Sequence, residues 1–302
     1  MRNLPPLIAV VGTNASGKSG LSVELARRYS GEIVSADSRQ VFKGLDLGSG
    51  KITAEEMQGV PHHLLDICEP GEFFSMADFQ RRAYTAIEQI RARGNLPFIV
   101  GGTGLYVDSV ADGYVLSDCP PDLAYRAELE KLETPALYAM LAGQAPDTQV
   151  DPCNRNRVMR ALERLKAGDY HEGRRQPRYD VLRLGVTWDR DALARRIDER
   201  LARRLEEGMI GEVRGLLEAG VSAEFLLGLG LEYRTICQYL LGEIATQAEM
   251  TEQLAAAIKK FAKRQMTWFR RNPDIVWLDM SGDPLAQACA AVEGFLAKNR
   301  HE

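Results

Sequence analysis

The stretch LIAVVGTNASGKS, residues 7–19, decides the expected fold. Its first five residues are apolar and rich in β-branched side chains, which predicts a buried strand. Residues 12–19 then fit the pattern G-x-x-x-x-G-K-[ST], and apolar residues at helical spacing continue to Tyr29. We expect Gly31 to end this helix. A strand, a glycine-rich turn and a helix in this order predict a cradle of backbone N–H groups for an anion.

This phosphate loop supplies the predicted anion-binding residues. Lys18 would add a point charge, and the Ser19 hydroxyl would ligate Mg²⁺. A glycine-rich turn that binds nothing is the alternative, and both the motif and its strand–helix context disfavour it. The predicted residues are Gly12, Thr13, Asn14, Ala15, Ser16, Gly17, Lys18 and Ser19.

Strand and helix patterns alternate along most of the chain, which predicts an α/β fold with a parallel sheet and helices on both faces. Further strands are expected at 33–36, 97–100, 180–187 and 276–278, and helices at 76–93, 191–207, 209–219, 251–271 and 284–298. Residues 117–180 show short helices and loops but no convincing strand until the end. The expected organisation is a core of residues 1–116 and 181–302, interrupted by a helical insertion at 117–180.

Composition limits the class of protein. The chain has 302 residues, is 45% hydrophobic and carries a net charge of −4, which is ordinary for a globular protein. Residues 1–150 hold 13 basic and 19 acidic side chains, so the whole-chain charge describes no single face. No apolar run is long enough to span a membrane, the N-terminus does not resemble a signal peptide, and no membrane partner is expected. Five scattered cysteines without a CxxC fit the reducing cytoplasm.

Two of the predicted strands end in polar residues of chemical interest. Asp37 follows the second strand, whereas the strand at 97–100 ends in Gly101-Gly102-Thr103 without an acid. The carboxyl ends of neighbouring parallel strands meet at one edge of the sheet, so Lys18, Asp37 and Thr103 are expected to converge. The alternatives are that Asp37 caps a helix and Thr103 caps a turn.

Basic residues cluster in two segments. Residues 258–271 carry six positive charges and no negative charge, and Lys260, Lys263 and Arg264 share one helical face with Arg271. In the insertion, Arg157, Arg160 and Arg164 follow i, i+3, i+7. An ordinary solvated face usually mixes both signs, so the first segment predicts contact with a nucleic-acid backbone.

These motifs together resemble the bacterial tRNA dimethylallyltransferases, also called tRNA isopentenyltransferases. The resemblance is ordered and spans most of the chain. Its segments are GTNASGKS (12–19), SADSRQVFKGLDLGSGK (35–51), PHHLLD (61–66), VGGTGLY (100–106), RALE (160–163), RLARRLEEGMIGEV (200–213), EYR (232–234) and KKFAKRQMTWFR (259–270).

The resemblance implies a P-loop-kinase-like core that grips the diphosphate of dimethylallyl diphosphate. The dimethylallyl group would pass to N6 of the adenosine at position 37, 3′-adjacent to the anticodon of a transfer RNA, with release of diphosphate. Asp37 would act as the general base, and Thr103 and Arg200 would stabilise the departing diphosphate together with Lys18 and Mg²⁺. A monomer is expected.

The resemblance also implies a set of tRNA-binding residues that grip the anticodon stem-loop. They are Ser38, Arg39 and Gln40 next to Asp37, of which Ser38 and Gln40 match base-reading positions, Arg126, Arg157 and Arg160 in the insertion, and Lys259, Lys260, Lys263, Arg264 and Gln265 in the basic segment. The chain departs from the family pattern at residues 151–155, at Phe42 and at Glu232, where the family commonly has His-Pro-Asn-Asp, a tyrosine and a glycine respectively.

Three other functions remain open from the residues alone. A small-metabolite kinase would use the loop with ATP, and it requires an acid at the end of another strand or an arginine-bearing lid. An adenylate isopentenyltransferase would modify a free nucleotide and would need neither the insertion nor the basic segment. A non-enzymatic RNA adaptor would not need Asp37.

Overall fold

A computed structural model describes residues 4–117, 119–170 and 173–301. Six strands in these residues form one parallel sheet in the order β3-β2-β4-β1-β5-β6, which confirms the predicted α/β class. The strands are β1 (Pro6–Gly12), β2 (Gly31–Ser35), β3 (His62–His63), β4 (Leu96–Gly101), β5 (Asp180–Thr187) and β6 (Ile275–Asp279).

Helices cover both faces of the sheet around β1. Leu7, Ala9 and Val11 pack with α2 (Met76–Ala92) and α3 (Gly104–Ala111). Ile8 and Val10 point to the other face, where they pack with α1 (Lys18–Arg28) and α12 (Pro284–His301). Because both faces are covered, β1 reads as an uninterrupted apolar run rather than as an alternating one.

Contacts divide the chain into two compact units, residues 1–111 with 177–302 and residues 112–176. The smaller unit holds α4 (Leu123–Leu129), α5 (Thr134–Gln144) and α6 (Arg155–Lys166) around a core of its own. Its ends adjoin, since the Gln176 N–H donates to the Gly113 carbonyl at 2.7 Å. This pairing places residues 112–116 in the smaller unit. Tyr179 is buried in the core of the sheet, so residues 177–180 belong to the larger unit, unlike the predicted boundaries.

A helical layer follows β5 in the larger unit. It comprises α7 (Arg190–Glu206), α8 (Met209–Glu218), α9 (Ala223–Leu229), α10 (Leu231–Leu240) and α11 (Gln247–Phe269). These helices share one core, with Tyr233 fully buried at its centre. The sequence patterns predicted α7, α8 and α11 but not α9 and α10, which are short and separated only by Gly230.

Two predicted helix ends are wrong. The first helix ends at Arg28, and Gly31 is the first residue of β2 instead of the stop. A Cβ at Gly31 would lie 2.4 Å from the Phe98 ring, so packing between strands explains this glycine. Helix α11 ends at Phe269, so Arg271 lies beyond the helix and does not continue its basic face. Over the described ranges, no helix has the length and apolar character needed to cross a membrane.

Candidate active site

The phosphate loop connects the end of β1 to the first turn of α1. Gly17 has a φ of 87°, a left-handed conformation that glycine adopts without steric cost. Ser16 Oγ donates to the Thr13 carbonyl at 2.8 Å, and Lys18 Nζ donates to the same oxygen at 3.2 Å. These two bonds link Thr13 to the middle of the loop and to the first turn of α1.

Two side chains that sequence reasoning missed bind the outside of the loop. Trp188 Nε1 donates to the Ser16 carbonyl at 2.9 Å, and Arg196 Nε donates to the Ala15 carbonyl at 3.0 Å. The Arg196 guanidinium also stacks 4.5 Å above the Trp188 ring. Trp188 directly follows β5, the neighbour of β1, and this adjacency is the signal that points to it. The two contacts fix loop carbonyls and leave the N–H side to an anion.

Gln265 on α11 joins the phosphate loop to the end of β4. Its Oε1 accepts from the Asn14 N–H at 3.0 Å, and its Nε2 donates to the Gly102 carbonyl at 2.9 Å. The side chain is buried, because this face of α11 packs inward. Both polar groups of the amide therefore bind the protein's own backbone, in contrast to the RNA contact that the resemblance implies.

Asp37 and Thr103 lie just beyond the carboxyl ends of β2 and β4. Asp37 Oδ1 accepts from the Arg39 N–H at 2.9 Å and from the Gln40 N–H at 3.4 Å. Thr103 Oγ1 accepts from the Ser38 N–H at 3.3 Å. No helix begins after Asp37 in this described segment, so its carboxylate caps a turn and not a helix. The second carboxylate oxygen takes no part in this turn.

One cavity at this edge of the sheet is lined by Lys18, Asp37, Thr103 and Arg200. The convergence expected from the sheet topology is therefore present, and Arg200 reaches it from α7. The cavity lining also includes these other predicted site residues: Asn14, Ala15, Ser19, Ser38, Arg39, Gln40 and Gln265. Gly12, Thr13, Ser16 and Gly17 do not line it and instead form the frame of the loop.

Burial changes the acidity of the two principal cations. It lowers the pKa of Lys18 to about 8, with the positive charge of Arg200 acting in the same direction and Asp37 opposing it. Burial also lowers the pKa of Arg200 to about 10, and the neighbouring Arg204 adds to this effect. Two cations held together out of water are costly, so an anionic ligand between them would be favoured.

Two of the predicted tRNA-binding side chains next to Asp37 are engaged within the protein. Arg39 pairs with the buried carboxylate of Glu232 at 3.1 Å, and its Nε donates to the Leu229 carbonyl at 3.1 Å. Gln40 Oε1 accepts from the Ser35 hydroxyl at 3.0 Å, and the amide Nε2 donates to the carbonyl of residue 50 at 3.2 Å. Both side chains thus shape the cavity wall.

The basic segment presents an exposed face on α11. Lys260, Lys263 and Arg264 are exposed there, whereas Phe269 is buried on the opposite side. Lys259 differs, because its ammonium pairs with Asp198 at 2.7 Å. The exposed cations have the arrangement that contact with phosphates requires.

The smaller unit holds the predicted arginines in two different states. Arg126 and Arg160 pair with the fully buried carboxylate of Glu163 at 2.9 and 3.1 Å. Arg157 is exposed and, among the described residues, makes no ion pair. Glu163 is the last residue of the RALE segment. This motif therefore supplies the carboxylate that pairs with Arg126 and Arg160.

A metal site made of protein ligands alone is absent from the described residues, where no three His, Cys, Asp or Glu side chains gather. His63 instead pairs with Glu32 at 2.7 Å, and His62 Nδ1 lies 2.9 Å from the Val60 carbonyl. Ser19, in the first turn of α1, lines the cavity beside Lys18. A single hydroxyl fits Mg²⁺, which usually takes one or two protein ligands and completes its shell with phosphate oxygens and water.

The fold and the cavity define a class: an α/β protein with a phosphate loop, a carboxylate and several cations at one edge of a parallel sheet. The sequence pattern of the family described as IPP transferase matches residues 40–272. The chain belongs to this family.

Curated relatives and solved structures agree with the family match. The chain is 47% identical to tRNA dimethylallyltransferase 2 of Shewanella sediminis, over 94% of this chain and 96% of that protein. A crystal structure of the tRNA isopentenylpyrophosphate transferase from Bacillus halodurans is 40% identical, covers 97% of this chain and 96% of its own, and gives a TM-score of 0.74. The structure of a eukaryotic dimethylallyltransferase acting on tRNA is 25% identical in sequence. The match covers 98% of this chain and 80% of that chain, with a TM-score of 0.81.

Proposed function

We propose that this protein transfers the dimethylallyl group of dimethylallyl diphosphate to N6 of adenosine 37 in transfer RNA and releases diphosphate. The observation that carries the proposal is the single cavity that holds Lys18, Asp37, Thr103 and Arg200. Membership of the IPP transferase family and the names of the relatives support it. A cytoplasmic location is proposed with it, since all five cysteines are free thiols.

The reaction exchanges one bond at C1 for another and moves one proton from N6 to Asp37. The N6 nitrogen of adenosine bonds to C1 of the dimethylallyl group while the bond from C1 to the diphosphate oxygen breaks. The N6 lone pair is delocalised into the purine ring, so the amine needs help to react. Asp37 accepts the N6 proton as the amine attacks. Its free carboxylate oxygen is available for this, because the turn uses only Oδ1.

The leaving diphosphate carries the developing negative charge. Lys18 and Arg200 line the cavity as cations, and Thr103 supplies a hydroxyl donor there. Fixed charges of this kind stabilise a leaving anion without having to reorganise during the reaction. When bound, Mg²⁺ would supply further charge neutralisation, with Ser19 as its protein ligand.

The remaining cavity wall suits an apolar group. Ile33, Ile52 and Val100 line it next to the polar residues. An allylic centre with cationic character reacts with water unless water is excluded, so an apolar wall beside the diphosphate protects the reaction. The adenine must leave its stack in the anticodon loop to reach Asp37, as other bases do for enzymes that modify them.

The experiment that tests the proposal supplies labelled dimethylallyl diphosphate with an anticodon stem-loop that contains adenosines at positions 36 and 37. We expect label on the RNA and none on free AMP. A stem-loop with guanosine in place of adenosine 37 is the matched control. No label on the adenosine substrate, or equal labelling of AMP, contradicts the proposal.

The same assay separates the other two candidate functions. A metabolite kinase would turn over ATP and leave the labelled prenyl donor intact. An RNA adaptor would bind the stem-loop and produce no label. The absence of an acid at the end of β4, where Gly101 and Gly102 lead to Thr103, argues against the kinase.

A further inference from the structure

A second arginine of α7, Arg204, lines the same cavity as Arg200. It lies one helical turn after Arg200, and only 11% of its side chain is exposed. Two arginines four residues apart on one helix repel each other. Burial of both makes the arrangement costlier, and it lowers the pKa of Arg204 as well. Because the two buried arginines destabilise the ligand-free protein, we expect a ligand that their charges bind.

The charge of Arg204 has a partner, but its N–H groups have no hydrogen-bond acceptor among the residues that the structure describes. Its nearest carboxylate oxygen is Glu232 Oε1, 3.7 Å from Nη1, which is too long for a hydrogen bond. The other oxygen of Glu232 accepts from Arg39 at 3.1 Å. Within the described residues Arg204 donates no hydrogen bond, although it forms part of the cavity wall. Its donors are therefore available to a ligand.

Close packing holds the guanidinium at this wall. The guanidinium lies against the backbone of Gly50, where an added Cβ would overlap Arg204 Nη2, and the φ of 64° at this residue also favours glycine. The carbonyl of the same residue accepts from Arg200 Nη2 at 3.4 Å. Glu232 is itself 2% exposed and lies in the first turn of α10, where the helix N-terminus favours an acid.

We infer that Arg204 is a second arginine that binds the diphosphate, and that Glu232 is a positioning residue that holds it at the cavity wall. The inference rests on the proposed function and deepens it. A carboxylate in a diphosphate site repels the ligand, so the presence of Glu232 in the cavity wall needs a separate explanation. Glu232 is buried behind Arg39 and Arg204 and pairs with both, so its negative charge offsets the repulsion between Arg204 and Arg200.

The first test measures the binding of inorganic pyrophosphate by calorimetry. Arg204→Met is expected to weaken this binding about tenfold or more, since it removes a charged hydrogen-bond donor. Arg203→Met is the matched control, because Arg203 is the adjacent residue, is 66% exposed and pairs with Glu207. The control is expected to stay within about twofold of the wild type. Equal affinities for the two variants would overturn the inference.

The second test asks whether Glu232 acts through Arg204. Glu232→Gln is expected to weaken pyrophosphate binding severalfold in the wild-type background and to add no weakening to Arg204→Met. If Glu232 acted only as a nearby negative charge, its removal would tighten pyrophosphate binding in both backgrounds. That result would overturn the positioning role. If Arg204→Met does not fold, Arg204→Gln replaces it, since it removes the positive charge and keeps a polar side chain next to Glu232.

A third measurement separates the inference from the proposed function. Anticodon stem-loop binding is expected to be unchanged in Arg204→Met, while the KM for dimethylallyl diphosphate rises. Loss of RNA binding in parallel with pyrophosphate binding would show a general structural defect and overturn the inference. A wild-type protein that labels RNA, with an Arg204→Met variant that binds pyrophosphate normally, refutes the inference alone. A wild type that neither binds pyrophosphate nor labels RNA refutes both.

Discussion

Lys18 and Asp37 have different surroundings within one cavity. Burial acts strongly on the Lys18 ammonium, which has a single hydrogen bond to the loop carbonyl of Thr13. Asp37 is anchored by two backbone N–H groups on one carboxylate oxygen. The ammonium is thus easily neutralised and the carboxylate is firmly oriented, and each property leads to a measurable result.

Asp37→Asn is expected to lower kcat by about 10²–10⁴-fold, the usual contribution of a general base. The asparagine Oδ1 can still accept from the Arg39 and Gln40 N–H groups, so the turn is retained. Stem-loop binding measured by fluorescence anisotropy should therefore remain within about twofold of the wild type. If binding and turnover decrease together, Asp37 has a structural role instead.

The activity is expected to fall above pH 8. In the free protein the pKa of Lys18 is about 8, so the ammonium that faces the diphosphate is lost as the pH rises through this value. The kcat/KM for dimethylallyl diphosphate should decrease accordingly, because this parameter reports the free enzyme. A flat profile between pH 7 and pH 9 contradicts this assignment.

Lys18 acts on stability in the opposite direction. Its pKa is lower in the folded protein than the ordinary value of 10.5, so between pH 8 and 10.5 the unfolded chain binds more protons. The contribution of Lys18 to the free energy of unfolding therefore rises with pH in that window. Activity and this part of the stability change in opposite senses over the same range.

At the scale of elements, α11 serves two purposes on opposite faces. Its buried face carries Gln265, which joins the phosphate loop to the end of β4. Its exposed face carries Lys260, Lys263 and Arg264. Substitutions on the two faces are expected to produce opposite defects.

Gln265→Met is expected to reduce pyrophosphate affinity and leave stem-loop binding unchanged. The change leaves the part-buried Asn14 N–H and the buried Gly102 carbonyl without their partner, and the carbonyl alone costs about 1–3 kcal/mol. Gln253→Met, at an exposed position of the same helix, is the control for calorimetry and thermal unfolding. A variant that binds RNA poorly and pyrophosphate normally would restore the predicted RNA contact of Gln265.

Lys260→Gln combined with Lys263→Gln is expected to weaken stem-loop binding and leave pyrophosphate binding unchanged. Stem-loop affinity should fall, and the dependence of log Kd on log salt should become shallower by about 0.7 for each phosphate contact that is lost. Pyrophosphate binding should not change. Arg190→Gln combined with Arg214→Gln, at exposed arginines of α7 and α8, controls for the loss of two positive charges. An unchanged salt dependence would exclude these lysines from the RNA interface.

At the scale of the whole molecule, the cavity belongs to the larger unit alone. Every residue that lines it lies outside 112–176. The smaller unit has its own core, formed by residues such as Leu129, Leu141 and Leu162. We therefore expect that diphosphate binding does not require the side chains of the smaller unit.

Replacement of residues 114–175 by a short glycine–serine linker is expected to retain pyrophosphate binding and weaken stem-loop binding. A short linker suffices because the Gln176 N–H and the Gly113 carbonyl are 2.7 Å apart. We expect pyrophosphate affinity within about threefold of the wild type and stem-loop affinity at least about tenfold lower, as expected when several phosphate contacts are lost. Normal stem-loop binding would remove Arg157 from the proposed RNA contacts.

Local patterns predicted the elements whose signals are strong. The phosphate loop, β1 and β5 were found because their apolar runs and glycine pattern are contiguous. Helices α9 and α10 were missed because each is short and Gly230 interrupts their pattern. Glu232 left a trace in the sequence as a departure from the family pattern, but its meaning depends on Arg204, which is far from it along the chain.

The sequence by itself determined the phosphate loop, the parallel α/β architecture and the meeting of Asp37 with Thr103, because these follow from short contiguous patterns and from the rule that parallel strands end at one edge. Only the tertiary structure decided which cations are exposed and free of carboxylate partners, and so can contact RNA. Arg39, Arg126 and Lys259 are engaged with carboxylates, whereas Lys260 is exposed. The physical reason is that an ion pair depends on distances between distant segments, and residue type alone does not encode them.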